Sequence, residues 1–360
     1  MRVLFLTPWY PSERDAMAGL FVQKHADAVR AQGVEVRVIH SQTWRDMFSQ
    51  WKQLRREGWM PDIVQLNVIQ KQGLLALYLK HRFHIPYVII EHWSGYLPEN
   101  GQYMRQSGIK RRLAQELCLE AKIVLTVSRK LTTSMQLCGL TAKRWAHINN
   151  VVDDFFYQNS RVPELQNSRT PGLQDSSNPE LIPPKLLLHV SCFDEKSKNT
   201  FALLRGFSEL CKRRKDVRLV MVGTGIDYPS SQNLAKELAI PAEQILWPGE
   251  QTPEQVCEWL HQSEAFVLTS RYETAGIVLS EAAATGTPIL STPVGIAEEL
   301  ITPETGILVS QDEANTPSLL ADAMEQVLRL PKYASQAQEY SFASVGKQLK
   351  EVYTQCLVSE

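Results

Sequence analysis

The stretch Arg271-Tyr-Glu273-Thr-Ala-Gly276-Ile-Val-Leu-Ser-Glu281-Ala-Ala-Ala-Thr-Gly286-Thr-Pro288 directly follows a short apolar run, Ala265–Thr269. The apolar run predicts a buried strand, and the residues after Gly276 predict a helix. Glu273 then lies in the loop after the strand, and Glu281 lies about one turn into the helix. A strand, a loop and a helix in this order are typical of parallel α/β sheets.

The same stretch suggests an anion site. Gly276 precedes the predicted helix, where free backbone N–H groups and the helix dipole favour a phosphate. The segment could therefore hold a sugar, a diphosphate and a ribose along its length. The alternative is that Glu273 and Glu281 are solvated surface carboxylates, and the segment alone does not separate these two interpretations.

The chain alternates strand-like and helix-like segments on both sides of one polar stretch. This pattern predicts two doubly wound, Rossmann-like α/β domains with parallel sheets. We expect an N-terminal domain over residues 1–157 and a linker, rich in Ser, Asn, Gln and Pro, over 158–184. A C-terminal domain follows over 185–344, and a final helix within 345–360 is expected to complete the first domain. Ligands bind at the carboxyl ends of the strands in such folds, so we expect the site in the cleft between the domains.

The predicted strands of the first domain are Val3–Leu6, Val34–Ile39, Ile63–Leu66, Tyr87–Ile90 and Ile123–Val127. Its predicted helices are Leu20–Ala31, Gly73–His81, Ile109–Glu120 and Arg129–Leu137. The predicted strands of the second domain are Leu186–Val190, Arg218–Val222, Gln244–Trp247, Ala265–Thr269, Thr287–Ser291 and Gly306–Val309.

Composition indicates a globular, cytoplasmic protein. Hydrophobic residues make up 44% of the 360 residues, and no apolar run reaches transmembrane length. The N-terminus is typical of a buried strand rather than a signal peptide. The six cysteines are scattered without a CxxC pair, which favours reduced thiols over disulfides or a zinc site.

Charge is distributed unevenly along the chain. Residues 1–160 hold 21 Lys and Arg against 13 Asp and Glu, whereas the remainder holds 17 against 26. A basic first half suggests an anionic partner. Basic residues at Lys52, Arg55–Arg56 and Lys110–Arg112 are interleaved with apolar and aromatic ones. The spacing from Trp44 to Leu54 predicts an amphipathic helix, which could lie on a membrane surface or, as the favoured alternative, pack its apolar face on the core.

Other catalytic motifs are weak or absent from the sequence. Gly223-Thr-Gly225 follows a predicted strand, but Tyr228 occupies the third glycine position of a dinucleotide fingerprint. A tight turn beside a nucleotide is a better interpretation. No Walker lysine or HExxH motif occurs, and His92 has no nucleophile elbow beside it. We expect His25 to be a surface or helix residue.

Together these segments resemble the retaining glycosyltransferases of family 4, which have the GT-B fold. The resemblance runs nearly end to end, in the family's order. Its most specific part is the spacing of Glu273 and Glu281 with the Gly286-Thr-Pro288 that follows. The other matching segments are individually weak: Pro8–Pro11, Ala18–Val22, Gly33–Ile39, Pro61–Val64, Pro86–Gly95, Val127–Ser128, Asn149–Phe155, His189–Phe193, Lys198–Asn199, Val222–Gly225, Trp247–Gly249, Gly295, Glu298 and Gly306.

The resemblance implies roles at the matching positions. Glu281 would accept hydrogen bonds from the ribose, and Glu273 would contact the transferred sugar. Lys198, with Lys196 as the alternative, would neutralise the leaving phosphate. His92 would lie near the sugar or acceptor. The remaining donor-binding positions are the close-approach glycines and the amides at the helix start: Gly19, Gly223, Gly225, Ala275, Gly276, Ile277 and Val278.

The implied reaction transfers a sugar, with retention, from a UDP- or GDP-linked donor to an acceptor hydroxyl. No metal and no cofactor other than this donor substrate are expected, and no nucleic acid partner. The acceptor would be a sugar, glycolipid or polysaccharide, in surface polysaccharide or glycolipid synthesis. The basic first domain would allow peripheral contact with the inner membrane face.

Three positions depart from the family pattern. Cys192 stands where an Arg usually helps the phosphate clamp, Ala275 replaces an aromatic residue, and Val294 replaces a glycine. Two alternatives to a transferase stay open. A GT-B sugar-nucleotide epimerase would need acid/base groups, for which only Glu91 and His92 are candidates. A non-catalytic nucleotide-sugar-binding protein would fit the loss of charge at Cys192.

Overall fold

The computed structural model describes residues 1–12, 17–158, 184–335 and 337–358. Most of the predicted linker, 159–183, lies outside the described residues. The chain divides into two compact units. The first comprises Met1–Val152, Tyr272–Gly276 and Gln338–Glu360, and the second comprises Asp153–Arg271 and Ile277–Ala337.

The first unit contains a six-stranded sheet in the order β2-β1-β3-β4-β5-β6, with every neighbouring pair parallel. All five residues of each of the two central strands β3 and β4 are buried, as expected for a parallel sheet covered on both faces. The strands are β1 Arg2–Thr7, β2 Glu35–His40, β3 Ile63–Asn67, β4 Tyr87–Glu91, β5 Val124–Thr126 and β6 Trp145–His147.

Six long helices cover this sheet: α1 Leu20–Ala31, α2 Trp44–Arg56, α3 Gly73–Phe83, α4 Gly108–Glu120, α5 Arg129–Leu137 and α14 Phe342–Val358. Helix α14, the last in the chain, packs closely on α1. A Cβ at Gly346 would lie 2.3 Å from the carbonyl oxygen of Ala28, so only glycine permits this approach.

The second unit contains a second parallel sheet, in the order β12-β11-β10-β7-β8-β9. Its strands are β7 Lys185–Val190, β8 Val217–Val222, β9 Ile245–Gly249, β10 Ala265–Leu268, β11 Ile289–Ser291 and β12 Gly306–Leu308. The strand order reverses between β7 and β10. Loops that follow these two strands therefore flank a topological switch point, where open α/β sheets bind ligands.

The helices of the second unit are α6 Glu195–Lys198, α7 Thr200–Arg213, α8 Tyr228–Glu237, α9 Pro253–Gln262, α10 Ile277–Ala284, α11 Ala297–Leu300, α12 Gln311–Ala314 and α13 Pro317–Val327. Short 3₁₀ helices occur at Ser94–Tyr96, Tyr103–Arg105, Asp154–Tyr157, Ala242–Gln244 and Gln338–Tyr340. Within the described ranges, no helix combines the length and the apolar character needed to cross a bilayer.

All eleven strands predicted from the sequence are present, and no end differs from its prediction by more than two residues. The predictions omit β6, which has only three residues, none of them fully buried. A short edge strand of this kind lacks the apolar run by which the buried strands are recognised.

The amphipathic helix predicted from Trp44 is α2. Its Met47 and Trp51 are buried in the first unit, which agrees with packing against the core. Trp44, however, remains 40% exposed on the same helix. Packing on the core therefore explains why Met47 and Trp51 are apolar. It does not explain the exposed Trp44 at the start of α2.

Candidate active site

The loop after β7 carries both candidate lysines of the second unit. Asp194 caps the one-turn helix α6 by accepting the N–H of Lys196 at 3.2 Å. Asn199 then ends α6 in the left-handed conformation, with φ of 53°. Lys196 is exposed and Lys198 is half-buried. The tight turn holds the two lysines on a short, fixed segment beside the switch point.

Arg271, the first residue of the glutamate segment, binds this lysine loop. Its guanidinium donates to Glu195 Oε1 at 3.1 Å and to Asn199 Oδ1 at 2.6 Å. Its backbone N–H donates to the carbonyl oxygen of Ser197 at 2.7 Å. Charge-assisted bonds from a planar guanidinium to two different residues fix its geometry as well as contributing energy. The lysine loop and the start of the glutamate segment are thereby held in one frame.

Sequence reasoning missed this role of Arg271. The only sequence feature that pointed to this role was the position of Arg271 itself, a basic residue directly before the loop that carries Glu273. Its partners lie more than 70 positions away, so the sequence alone could not pair them.

The glutamate segment has the predicted local geometry. Gly276 has φ of 77°, a left-handed conformation that disfavours other residues, and α10 begins immediately after it at Ile277. The first-turn N–H groups of α10 have no partner within the helix. Glu273 lies in the loop and Glu281 lies just over one turn into α10, and both are half-buried.

Glu281 is close enough to Cys257 of α9 to affect its titration. Burial raises the pKa of the Cys257 thiol to about 12, and the charge of Glu281 adds to the increase. The thiol therefore stays protonated at neutral pH. Its Sγ–H points to the carbonyl oxygen of Phe155, at 3.6 Å.

Gly223 and Gly225 pack against the backbone of the lysine-bearing loop. A Cβ at Gly223 would lie 1.9 Å from the carbonyl oxygen of Ser191, and one at Gly225 would lie 2.6 Å from the backbone nitrogen of Phe193. These glycines thus have a packing role in shaping the loop after β7. Their direct contact with a donor stays a prediction.

His189, at the end of β7, is fully buried and neutral. Its Nδ1 lies 2.9 Å from the carbonyl oxygen of Val267 in β10, and its Nε2 lies 2.8 Å from Ser191 Oγ. The first contact requires Nδ1–H as the donor, so Nε2 accepts from the hydroxyl. Burial, with a smaller contribution from the positive charge of Lys198, lowers the pKa of His189 to about 4. His189 therefore links the two strands that flank the switch point.

In the first unit, Gly19 allows a close backbone contact. It precedes α1 with φ of 69°, and a Cβ there would lie 2.3 Å from the carbonyl oxygen of Trp9. Any side chain would therefore displace the loop after β1, and the predicted approach of this loop to a donor stays a prediction.

His92 follows β4 and is 8% exposed. Its ring lies 4.2 Å from that of Phe21 and 5.7 Å from that of His25. Burial, with a smaller contribution from His25, holds its pKa well below the usual range, so the imidazole is neutral. Its Nε2 is buried without a partner among the described residues, and it could bind a ligand hydroxyl.

His25 lies in helix α1, one of the two placements expected for it, but it is completely buried rather than on the surface. Its Nε2–H donates to the carbonyl oxygen of Asn149 at 3.0 Å, and burial lowers its pKa to about 4. The spacing of His25 from the buried Val22 and Val29 places it on the core face of α1.

Glu91 is saturated with hydrogen bonds inside the first unit. Its Oε1 accepts the N–H groups of His92 at 2.9 Å and Trp93 at 2.8 Å. Its Oε2 accepts the N–H of Ile69 at 2.9 Å and the hydroxyl of Tyr96 at 3.4 Å. Burial raises the pKa of Glu91 to about 7. A carboxyl held by four donors is a structural group, which weakens its candidacy as an acid/base group of an epimerase.

Comparison with known proteins now identifies the family. The family model described as Glycosyltransferase Family 4 matches residues 2–154, and the model described as Glycosyl transferases group 1 matches residues 174–343. The chain belongs to glycosyltransferase family 4. The family resemblance drawn from the glutamate segment and the ordered glycine motifs is thus confirmed.

Individual relatives match only part of this chain, at identities of 30% and 36% for the two described next. A D-inositol 3-phosphate glycosyltransferase from Corynebacterium urealyticum is 30% identical over 176 residues, covering 44% of this chain and 40% of that protein. The Vi polysaccharide biosynthesis protein VipC/TviE of Salmonella typhi is 36% identical over 123 residues, covering 34% of this chain and 20% of that protein. The chain therefore matches less than half the length of these two relatives.

Among solved structures, Anabaena Alr3699/HepE in complex with UDP and glucose superposes with a TM-score of 0.69 at 17% identity, covering 99% of this chain and all of that one. At this identity the likeness supports the fold alone. With the two parallel six-stranded units described above, it confirms the predicted two-domain α/β GT-B fold.

Proposed function

We propose that this family 4 protein is a retaining glycosyltransferase that takes its sugar from a nucleoside diphosphate sugar. The observation that carries the proposal is the set of Arg271 hydrogen bonds at the switch point between β7 and β10. Arg271 ties the loop of Lys196 and Lys198 to the segment of Glu273 and Glu281. The lysine loop is thereby fixed to the start of the segment that continues through Glu273 to the N-terminal N–H groups of α10 and Glu281, and these are the kinds of group that a nucleoside diphosphate sugar requires.

Each group has one proposed role in donor binding. The N–H groups of Ala275 to Val278 would bind the diphosphate, aided by the dipole of α10. Glu281 would accept hydrogen bonds from the ribose hydroxyls. Glu273 would accept them from hydroxyls of the transferred sugar.

Lys198 would act on the charge that develops during transfer. As the bond between the anomeric carbon and the phosphate oxygen breaks, negative charge grows on the leaving diphosphate, and a fixed cation stabilises that state. The acceptor oxygen would attack from the same face, and its proton would pass to the leaving phosphate. Since lysines and N–H groups would neutralise the diphosphate, the proposed mechanism needs no metal.

The first unit would supply the remaining groups. The unpartnered Nε2 of the neutral His92 would bind a sugar or acceptor hydroxyl, and Gly19 would allow the loop after β1 to approach the donor. Either UDP or GDP fits these groups. The UDP bound to the Anabaena protein supports a uridine donor, and the polysaccharide role in the name of the Salmonella relative supports a glycan or glycolipid acceptor.

A membrane-facing role is supported by an exposed aromatic and basic surface. Stacked or edge-on ring contacts of 5.8 to 6.2 Å connect Trp44, Phe48, Tyr78 and Phe83. Arg55 lies 4.9 Å from the centre of the Phe83 ring. Aromatic rings beside cations are typical of surfaces that bind anionic lipid interfaces. We propose peripheral attachment through this surface, which we call the α2–α3 surface.

Product analysis tests the proposed reaction. The protein is incubated with UDP- and GDP-linked sugars, and the products are followed by proton NMR. A transferase slowly releases nucleoside diphosphate from its own donor, and the first-formed sugar keeps the α or β configuration of the donor. An isomeric donor would instead indicate the epimerase, and an intact donor bound with high affinity would indicate the binding protein.

A further inference from the structure

The first unit contains a second feature with the character of a binding site. A cavity of about 470 Å³ opens between the N-terminal ends of α2 and α4 and the loops that follow β3 and β4. Its size falls in the range of about 300 to 1,000 Å³ that is usual for small-molecule sites. The residues that matter for its chemistry are Trp44, Gln70, Lys71, Trp93, Tyr96 and Lys110.

The position of the cavity favours a ligand. The first sheet reverses its strand order between β1 and β3, and the cavity lies at the carboxyl edge, beside the loop that leaves β3. Loops at this edge are where open α/β sheets bind their ligands.

The cavity walls are fixed by internal contacts. Glu91 accepts N–H groups from Ile69 after β3 and from Trp93 after β4, so one carboxyl joins two walls. The rings of Trp93 and Tyr96 then meet edge to face at 5.1 Å. A Cβ at Gly95 would lie 2.1 Å from the Trp93 ring, so glycine is required for this packing. The pocket is therefore preorganised.

The charge of the lining is positive. Lys71 and Lys110 line the cavity, and no Asp or Glu is among its lining residues in the described part of the chain. Lys71 donates to the carbonyl oxygen of Gln42, whereas the exposed Lys110 forms no hydrogen bond or ion pair with any described residue. An available ammonium group at the mouth of an aromatic pocket selects for an anion.

The uncharged lining suits a ring with hydroxyl groups. Indole and phenol rings offer flat apolar faces, and the side-chain amide of Gln70 can both donate to and accept from hydroxyls. We propose that this pocket binds a phosphorylated sugar as the acceptor, with the phosphate at Lys110 and the ring against Trp44 and Trp93. The assignment rests on the proposed transferase function, since it names the acceptor class of that reaction.

Binding without donor tests the pocket directly. Calorimetry is carried out with glucose 6-phosphate, neutral methyl glucoside and inorganic phosphate. Lys110→Gln is compared with Arg112→Gln, an exposed cation on the same helix that does not line the cavity. We expect glucose 6-phosphate to bind at least tenfold more tightly than either fragment, about tenfold weaker binding by the Lys110 variant, and little change in the Arg112 variant.

A second variant separates the contribution of the sugar ring to binding from that of the phosphate. Trp44→Ala removes a side chain that is 40% exposed, so folding should be retained. The Trp44→Ala variant should bind glucose 6-phosphate more weakly than the parent protein does. Its affinity for inorganic phosphate should be unchanged. The proposal is overturned if the Lys110 variant binds glucose 6-phosphate as well as the parent, or if methyl glucoside binds as tightly as the phosphate ester.

Two further experiments distinguish a lipid-linked ligand from a soluble one, and separate failure of this pocket assignment from failure of the transferase proposal. The same head group is presented as a phosphodiester on phosphatidylcholine vesicles, and preference for it would indicate a lipid-linked acceptor, whereas preference for the free ester would indicate a soluble one. Nucleotide-sugar binding is measured in parallel. If nucleotide sugars bind but no phosphorylated sugar does, this inference fails alone. If phosphorylated sugars bind and nucleotide sugars do not, the transferase proposal fails while the pocket assignment as a phosphosugar site remains.

Discussion

At the residue scale, Lys198 and Lys196 differ in how firmly the fold holds them. The backbone carbonyl oxygen of Lys198 lies 3.4 Å from Thr269 Oγ1 of the neighbouring loop, and the Lys198 side chain is half-buried beside His189. Lys196 is exposed. A preorganised cation stabilises a developing charge better than a mobile one, because no reorganisation is needed during the reaction.

We therefore expect Lys198→Ala to lower kcat about a hundredfold, in line with the loss of one preorganised electrostatic contact. The unfolding temperature should change little, because the half-buried ammonium is not a core group. Lys196→Ala is the matched control and should retain most activity. Full activity in Lys198→Ala together with loss in Lys196→Ala would assign the phosphate contact to Lys196.

At the element scale, the contact between β7 and β10 depends on a neutral His189. Because its pKa is about 4 in the folded protein and 6.5 without burial, the unfolded chain takes up the proton first as pH falls. Stability from this group is present above about pH 6.5 and is lost progressively toward pH 4. His25 acts in the same direction, whereas Glu91, with its pKa raised from 4.5 to about 7, favours the folded state as pH falls through that window.

His189→Gln should make stability less dependent on pH between about 6.5 and 4, although the variant is less stable at pH 7.5. Denaturant unfolding at pH 7.5, 6 and 5 measures the difference. His81→Gln serves as control, since His81 is exposed on α3. An unchanged pH dependence in the His189 variant would mean that its imidazole is not held neutral in the folded protein.

The α2–α3 surface makes a separate prediction at this scale. Lys52→Gln with Arg56→Gln removes two exposed cations of α2. Each cation near an anionic bilayer contributes about 1 kcal/mol, so binding to phosphatidylglycerol vesicles should fall about thirtyfold. Arg205→Gln with Lys236→Gln, both exposed in the second unit, is the control and should bind like the parent. If the unaltered protein does not sediment with anionic vesicles, peripheral attachment through this surface is excluded.

Several elements were predictable because their signals are local. Buried strands such as β1 and β4 contain short apolar runs. Helices α1 and α5 have the predicted bounds because an apolar face repeats every three to four residues between polar ends. The exposed strand β6 lacked such a signal. Glycines at positions 19 and 276 were predicted as special, and both adopt left-handed conformations.

At the scale of the whole molecule, the sequence predicted the order of the parts better than the contacts between them. The strand order of the second sheet brings the loops after β7 and β10 together, although they are about 75 residues apart in the chain. For this reason the bonds of Arg271 and the inter-strand contact of His189 could not be read from local patterns. The burial of His25 and the saturation of Glu91 likewise depend on residues distant in sequence.

Above all, we propose that the glutamate segment from Arg271 to Pro288 holds a nucleoside diphosphate sugar. The most direct test of this proposal is a thermal-shift titration of the protein with UDP, GDP, ADP and their sugars, with Glu281→Ala beside Glu258→Ala, an exposed carboxylate on α9. A ligand that binds only the folded state stabilises it in proportion to the logarithm of its concentration over Kd. We expect one nucleotide family to raise the unfolding temperature. Glu281→Ala should weaken binding of that nucleotide about tenfold or more, and Glu258→Ala should not. No shift with any nucleotide, or an equal shift in Glu281→Ala and the parent, would contradict the proposal.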